Sequence, residues 1–583
     1  MNVKVTIDGK LYEVPSHYTA LDACKAANID IPTLCFLKEL NETAACRMCV
    51  VEVEGARSLQ ASCVLKVRDG MKIKTNTKRV QDSRATTLEL LLANHNKECL
   101  NCDRNGKCEL QDLAERFHLK EIYFDSFEKR TPFIDDSSFS IVRDQSKCIL
   151  CGRCVSACEK IAGMSVLAYT NRGFEANVGT GFNVELDDAG CISCGQCINV
   201  CPVGALQEKS HVEQVWDAIS DPKKHVVIQT APAVRAAIGE EFGLPIGTSC
   251  TGKMIAAIRR LGVDKVFDTN FAADLTILEE GHELLDRLQN GGKLPLLTSC
   301  SPGWIRLIEQ YYPELLPNLS SCKSPHQMFG AIIKSYYAEK TKIDPKDIYV
   351  VSVMPCTAKK FEMNREELSH NGLKDVDAVL TTRELGRMLK EKGIRFNELP
   401  DEDFDHPLGE YTGAGVIFGA TGGVMEAALR TVADILTGED LKDFEYHAVR
   451  GFEGIKEAEL EIAGNKISIA IAHGGGNARK LMDIIKSGKK EYHFVEIMGC
   501  EGGCINGGGQ PYVNSHIRNE GIDYKKLRAQ VLYNEDKSKE FRKSHHNKEV
   551  KQLYDEFLEK PNSHKAHELL HTSYKAREIF PIK

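Results

Sequence analysis

Sixteen of the 22 cysteines in this 583-residue chain fall within the first 201 residues, and eight of those form two identical runs. Each run reads Cys-x2-Cys-x2-Cys-x3-Cys: Cys148, Cys151, Cys154 and Cys158, then Cys191, Cys194, Cys197 and Cys201, with Pro202 closing the second. Thiols this crowded are joined as disulfides or hold metal, so the front third must fold around them. Disulfides are the weaker reading. The N-terminus lacks the apolar core and small-residue cleavage site of a secretory signal; Val3, Val5 and Ile7, an Asp8-Gly9 turn, then Leu11 and Val14 alternate as a β-hairpin does. No apolar run approaches the roughly 18 residues needed to cross a bilayer. A reduced, cytoplasmic metalloprotein is therefore expected.

At about 150 residues per domain, the chain holds roughly four domains. Its hydrophobic fraction of 42% and charged fraction of 27% suit folded globular domains rather than a disordered chain. A net charge of -8 gives no general attraction to nucleic acid or to an anionic membrane.

The double run has the spacing of two-cluster bacterial ferredoxins, in which the fourth cysteine of each run serves the other cluster. This assigns Cys148, Cys151, Cys154 and Cys201 to one 4Fe-4S centre, and Cys191, Cys194, Cys197 and Cys158 to a second. Upstream, Cys35-x10-Cys46-x2-Cys49-x13-Cys63 suits a 2Fe-2S cluster in a small α+β domain of β-grasp type. Its wide first gap resembles the variant in the large iron-sulfur subunit of respiratory NADH dehydrogenase. A structural zinc site could use the same donors. Cys24, on the helical stretch 21–27, reads as a buried apolar residue. Between these groups, His95-x3-Cys99-x2-Cys102-x5-Cys108 offers one imidazole and three thiolates, a set that fits tetrahedral zinc as well as iron. Its neighbours favour a 4Fe-4S cluster. Clusters in this number form a relay for single electrons, so residues 1 to about 208 act as a wire.

From about residue 209 cysteine becomes scarce. Short apolar runs at 226–228, 294–297, 348–353, 378–380, 467–472 and 494–498 read as buried strands; 254–261, 275–288 and 425–436 read as helices. That order predicts α/β architecture with largely parallel sheets. Cys300, Cys356 and Cys500 each follow one of these strands, where open α/β sheets bind ligands. Cys504 lies in a run with Gly502, Gly503, Gly507, Gly508 and Gly509, glycines that let backbone pass close to a bulky group.

Three stretches here resemble the signatures of FeFe hydrogenases: Thr298-Ser299-Cys300-Ser301-Pro302-Gly303-Trp304, Met354-Pro355-Cys356-Thr357-Ala358-Lys359-Lys360-Phe361-Glu362, and Glu496-Ile497-Met498-Gly499-Cys500-Glu501-Gly502-Gly503-Cys504-Ile505-Asn506-Gly507-Gly508-Gly509. The resemblance covers nearly the whole chain, because the clostridial type carries the same four accessory clusters in this order. It implies a β-grasp 2Fe-2S domain at 1–78, a His/Cys3 4Fe-4S domain at 79–130 and a two-cluster ferredoxin domain at 137–208. A two-lobed α/β active-site domain at 209–530 and a small-subunit-like segment at 531–583 would follow. It also implies an H-cluster: a cysteine-bound 4Fe-4S cube joined through one thiolate to a two-iron unit carrying CO, cyanide and a dithiolate amine. By motif position Cys504 is the bridging thiolate, with Cys356 and Cys500 on the cube. Lys359 contacts a cyanide, and Met354, Met498, Pro325 and Phe418 surround the two-iron unit. The implied chemistry is the heterolytic splitting of dihydrogen or its reverse. The implied proton path runs through Cys300, Glu280, Ser320, Glu283 and Arg287, with Glu280 and Glu283 on one helix face.

The chain departs from that family at one ligand. Where the family has two adjacent cysteines before the proline, this chain has Cys300-Ser301, so Ser301 holds the position of the fourth cube ligand. Ser301 coordinates through oxygen, or Cys300 shifts onto the cube, or a neighbour such as Cys322 supplies the bond. His326 and Ala233 also stand where the clostridial pattern has glutamine and serine. The front domains and the serine resemble catalytic subunits of multi-subunit NAD(P)-linked hydrogenases, including electron-bifurcating ones, which implies flavin- and nucleotide-binding partner chains and possible exchange with ferredoxin. A stand-alone ferredoxin-dependent hydrogenase and a hydrogen sensor or iron-sulfur assembly scaffold are the rival readings. His473-Gly474-Gly475-Gly476-Asn477 is a candidate phosphate cradle but lacks the full dinucleotide spacing.

Overall fold

Strands Asn2–Ile7 and Lys10–Pro15 pair antiparallel from Asn2 opposite Pro15 to Ile7 opposite Lys10. Asp8 and Gly9 take positive φ of 47° and 84° at the turn, the left-handed pair that a two-residue hairpin of this twist requires. The computed structural model describes residues 1–124, 133–462 and 464–580; the last residues of the expected His/Cys3 domain, 125–130, and the chain end, 581–583, lie outside them. The helix Ala20–Ala26 starts at a capping box between Thr19 and Asp22 and turns Cys24, which is fully buried, into the core of a five-stranded sheet. That layer of sheet and helix is the α+β unit anticipated around the first cysteine group.

Helices Lys78–Ala93 and Glu109–Arg116 flank the His95 group. The double run folds with internal symmetry: helices Arg153–Lys160 and Gln196–Val200 each follow a left-handed glycine, Gly152 (φ 80°) and Gly195 (φ 69°).

Beyond it lie two four-stranded sheets. The first is wholly parallel: Lys265–Asp268, His225–Thr230, Ile348–Met354 and Ala378–Thr381 in spatial order. The second orders Leu296–Leu297, Phe494–Met498, Asn465–His473 and Ile455–Ile462, with only the last pairing antiparallel. The apolar-run criterion misses Ile455–Ile462 because exposed Glu457, Glu459 and Glu461 alternate with Ala458 and Leu460 along an edge strand. It also overextends 294–297, where Pro295 has no N–H for a ladder. The helix Thr269–Asn290 starts on the Asp268 carboxylate, ends at left-handed Gly291 (φ 80°) and runs between the lobes' cores.

The helix Tyr524–Ser538 runs straight through residue 531, which corrects the boundary expected there: catalytic domain and tail share a helix. Tail residues Leu553, Leu558 and Leu570 are fully buried in the core of the first lobe, so the tail completes that core. Among the described residues no helix is long and apolar enough to cross a membrane.

Candidate active site and its electron and proton connections

The cysteines of the double run line two separate cavities. One is walled by Cys148, Cys151, Cys154 and Cys201, the other by Cys158, Cys191, Cys194 and Cys197. Each cavity takes three sulfurs from one run and the fourth from the other. Burial pushes the Cys151 thiol up to about 12, against the lowering influence of Arg153, and the Cys191 thiol up to about 11, against that of Arg306. A donor set of four buried thiols fits an iron-sulfur cluster.

The first cysteine group is equally enclosed. Cys46 N–H lies 3.5 Å from Cys35 Sγ, and Cys49 Sγ lies 3.3 Å from Cys63 Sγ. The Cys35 thiol lowers the Cys46 thiol and the Cys63 thiol lowers the Cys49 thiol, while the partner thiol of each pair is raised. The Asn41 amide donates to both the Cys35 carbonyl (2.8 Å) and the Cys151 carbonyl (3.1 Å), stapling this group to the ferredoxin unit. Arg153 does the same through charge: it pairs with Glu109 at 2.9 Å and reaches the Cys35 and Phe36 carbonyls.

His95 faces the Lys147 backbone, while its Nδ1 is buried with no hydrogen-bond partner among the described residues. Burial drives the imidazole down to about 4. A neutral ring with one orphaned nitrogen fits a metal ligand. Gly204 brings this group against the ferredoxin unit, since a Cβ there would stand 2.5 Å from Cys102 Sγ.

At the other end, a Cβ on Gly195 would meet Thr357 Oγ1 at 2.5 Å and the Gly508 Cα at 2.8 Å. The Thr357 hydroxyl donates to the Ser193 carbonyl at 2.7 Å, and the Gln196 amide to the Asn506 carbonyl at 2.9 Å. Two facing glycines thus bring the Cys194 loop onto the third cysteine-bearing stretch.

Behind that contact lies a cavity between the C-terminal ends of the two sheets. Its wall includes Cys300, Ser301, Pro325, Met354, Cys356, Lys359, Phe418, Met498, Cys500 and Cys504. Met354 and Met498 are the last residues of their strands, so each following cysteine turns over a strand end. Gly507 must be glycine, because a Cβ would stand 2.1 Å from the Pro355 carbonyl oxygen. Ser301 Oγ accepts from Gly499 N–H at 3.0 Å, beside Cys500. Cys300 turns elsewhere: burial first, then Glu280, raise its thiol well above the ordinary range. Cys322, the third candidate for the missing ligand, is not in this wall; its Sγ lies 4.0 Å from Glu283 Oε2 in the first lobe's core, which corrects that alternative.

Five profiles match successive parts of the chain: "2Fe-2S iron-sulfur cluster binding domain" at 1–78, "NADH-ubiquinone oxidoreductase-G iron-sulfur binding region" at 84–122, "4Fe-4S dicluster domain" at 147–205, "Iron only hydrogenase large subunit, C-terminal domain" at 224–508 and "Iron hydrogenase small subunit" at 522–577. The chain is 51% identical to the NADP-reducing hydrogenase subunit HndD of Solidesulfovibrio fructosivorans, across 98% of this chain and 99% of the relative. The chain belongs to the FeFe hydrogenase family. It is 46% identical to iron hydrogenase 1 of Clostridium pasteurianum, again over 98% and 99% of the two lengths. An apo FeFe hydrogenase structure from Chlamydomonas reinhardtii superposes with a TM-score of 0.57 at 43% identity, covering 64% of this chain and all of that one.

In this hydrogenase a second group of polar residues, Glu280, Ser320, Glu283 and Arg287, lies beside the cavity. Glu280 is buried, and burial followed by the nearby Glu283 carboxylate raises it to about 8. The Ser320 hydroxyl donates to Glu283 Oε2 at 2.8 Å, and the Arg287 guanidinium to Glu283 Oε1 at 2.6 Å. The sign follows directly: an acid with a raised pKa is neutral at pH 7 and ionises as pH climbs through about 8. Infrared difference spectra should therefore show a protonated carboxyl that titrates near pH 8 and disappears in Glu280→Gln. A band that persists in that variant would assign it to another group.

Sequence reasoning gave Glu362 no role. Its carboxylate pairs with Lys359 Nζ at 2.8 Å and with His326 Nε2, while His326 Nδ1 lies 3.2 Å from Ser352 Oγ. Burial alone would raise Glu362; Lys359 and His326 overcome it and hold the group at about 2. Lys359 Nζ also donates to the Cys300 carbonyl at 3.1 Å. His326 thus helps hold the Glu362 carboxylate that pairs with Lys359, a contact only the tertiary structure reveals. Ala233 is fully buried, and its carbonyl accepts from the Gln510 amide at 2.9 Å.

Proposed function

We propose that this hydrogenase is the catalytic chain of a multi-subunit NADP-linked complex. It oxidises dihydrogen, or reduces protons, at the cavity of Cys356, Cys500 and Cys504. The observation that carries the reading is the unbroken series of cysteine-lined sites that ends at the same cavity from which the Glu280 route departs. Electrons and protons need separate exits, and in this reading the cysteine groups serve the first and the Glu280 residues the second.

In this reading Cys356, Cys500, Cys504 and Ser301 would hold the H-cluster. The accessory cysteine groups would hold three 4Fe-4S clusters and one 2Fe-2S cluster. The H-cluster supplies the iron at which the H–H bond is made or broken. The chain does the rest. Met354, Met498, Pro325 and Phe418 keep water out of the cavity, and Lys359 places a positive charge in its wall. Cys300 Sγ would take up or deliver the proton, the Glu280 carboxyl would pass it to Ser320 Oγ, and Glu283 would exchange it with solvent water, its carboxylate held in place by the Arg287 guanidinium at 2.6 Å.

A multi-subunit enzyme that reduces NADP fits the name of the relative, an NADP-reducing hydrogenase subunit, which matches over 99% of its length; flavin-bearing partner chains belong to the same proposal. They also fit the fate of the glycine run at 474–476. A Cβ on Gly475 would stand 2.1 Å from the Ala162 carbonyl oxygen, and Gly476 packs on Gly163, so that helix start is filled by backbone. A three-way exchange that includes ferredoxin, electron bifurcation, belongs to the same proposal. The test is anaerobic co-purification with assay of NADP-dependent hydrogen oxidation. If every isolated complex lacks NAD(P)-dependent activity but passes electrons to ferredoxin, the stand-alone ferredoxin reading takes its place.

The serine ligand has its own test. Oxygen is a harder donor than sulfur, so Ser301→Cys should shift the midpoint potential of the cube while hydrogen turnover remains measurable. The shift is read by infrared-monitored redox titration. An unchanged potential would show that Ser301 does not bind iron.

A further inference from the structure

The tail contributes one polar side chain to the neighbourhood of the proton route. His571 forms an antiparallel bridge with Cys322, flanked by Thr572 N–H to the Ser321 carbonyl at 2.7 Å and Lys323 N–H to the Leu570 carbonyl at 2.8 Å. Both of its ring nitrogens are engaged: Nδ1 lies 2.8 Å from Ser321 Oγ and Nε2 lies 3.0 Å from Glu279 Oε2. Glu279 is fully buried and also accepts from the Tyr554 hydroxyl and from Asn562 N–H at 2.9 Å. On the far side of the same short segment, Ser321 N–H faces both Glu283 oxygens at 3.3 and 3.2 Å, next to the Ser320 hydroxyl bond. Residues 320–322 are therefore gripped between Glu283 on one side and the His571–Glu279 pair on the other. The groups that face His571 are Glu279 from the helix Thr269–Asn290, Ser321, and His567 of the tail, whose ring centre lies 4.1 Å away.

We propose that His571 is a positioning residue of the proton path: by spanning Glu279 and Ser321 it fixes the Ser320–Ser321 segment, so that the Ser320 hydroxyl stays between Glu280 and Glu283. The proposal rests on the reading of Glu280, Ser320, Glu283 and Arg287 as that path. An imidazole bonded at both nitrogens has its ring plane set, and a serine whose hydroxyl and N–H point to opposite sides transmits that constraint to its neighbour. Proton transfer is steep in distance, since a displacement near 1 Å costs on the order of 100-fold in well-oriented reactions. The small-subunit-like tail thus acts on the rate of the enzyme as well as on its core.

The test uses holoenzyme carrying His571→Ala, Ser321→Ala or His571→Asn. It measures dye-linked hydrogen uptake, its solvent deuterium isotope effect, and CO and cyanide infrared intensity per protein. We expect His571→Ala and Ser321→Ala each to lower kcat about tenfold and to raise the isotope effect, with KM for hydrogen and infrared intensity unchanged. The double variant should be no slower than either single one, because both break the same link. His571→Asn, which keeps an acceptor near the Nδ1 position for the Ser321 hydroxyl but loses the bond to Glu279, should restore only part of the rate. Normal kcat and isotope effect in both alanine variants, or losses that merely follow infrared intensity, would overturn the proposal. If His571→Ala does not fold, Ser321→Ala decides, since it removes only one hydroxyl. Glu283→Gln serves as the control. If it is as fast as the parent, the path reading itself fails. If it is slow while the two alanine variants are normal, only the role of His571 fails.

Discussion

Cys300→Ala should lower hydrogen turnover by about 10²- to 10⁴-fold, the range typical of losing a positioned proton-transfer group. Burial and then the Glu280 carboxylate raise the Cys300 thiol, while Ser301 Oγ accepts from Gly499 N–H at 3.0 Å. The two adjacent residues thus face different tasks. The variant should retain the CO and cyanide infrared bands and the reducible accessory clusters, because the cube keeps its ligands. Loss of those bands together with the activity would mean that Cys300 has moved onto the cube. Near-normal turnover would mean that another group delivers protons. Cys300→Ser, with a hydroxyl in place of the thiol, should fall between the two, as a much weaker acid in the same place.

Arg153→Leu should destabilise the front half by about 3–5 kcal/mol near neutral pH, the cost of leaving one member of a buried ion pair alone. Arg153 is 1% exposed and Glu109 8% exposed. Burial by itself raises the Glu109 carboxyl; Arg153, the strongest opposing influence, brings it below its ordinary value. A carboxylate with a lowered folded pKa contributes stability that is present above the unfolded pKa of about 4.3 and is lost as pH falls through the folded one. In the variant that term reverses, so the deficit should shrink toward acid pH as Glu109 takes up a proton. Anaerobic denaturant titration followed by iron-sulfur absorbance measures it. Arg153→Leu with Glu109→Leu should recover part of the loss, because removing both charges leaves no unpaired one. A deficit that does not depend on pH would assign the effect to packing instead.

Much of the site was legible in one dimension because metal ligands are set by local spacing. The eight cysteines of the double run differ in sequence position by two- and three-residue gaps, so their helix-start geometry follows from the chain itself. The strand ends before Cys300, Cys356 and Cys500 were legible for a similar reason, since buried parallel strands are continuous apolar runs. The edge strand Ile455–Ile462 was not, because its pattern is that of a solvent-facing segment. Glu362 and His326 were invisible as a unit: they meet across 36 residues of sequence, and burial rather than spacing makes their pairing with Lys359 obligatory.

The amino-acid sequence by itself therefore determined which sulfurs belong together, the α/β character of the catalytic half and the family, because those depend on short-range spacing and periodicity. The tertiary structure decided the rest. It set Ser301 Oγ against Gly499 N–H, removed Cys322 from the ligand question, filled the glycine run at 474–476 with backbone and placed His571 of the tail against Ser321. Each of these depends on close contact between segments tens to hundreds of residues apart, where the positions of oxygen, nitrogen and sulfur atoms within about 3 Å decide what a side chain can do.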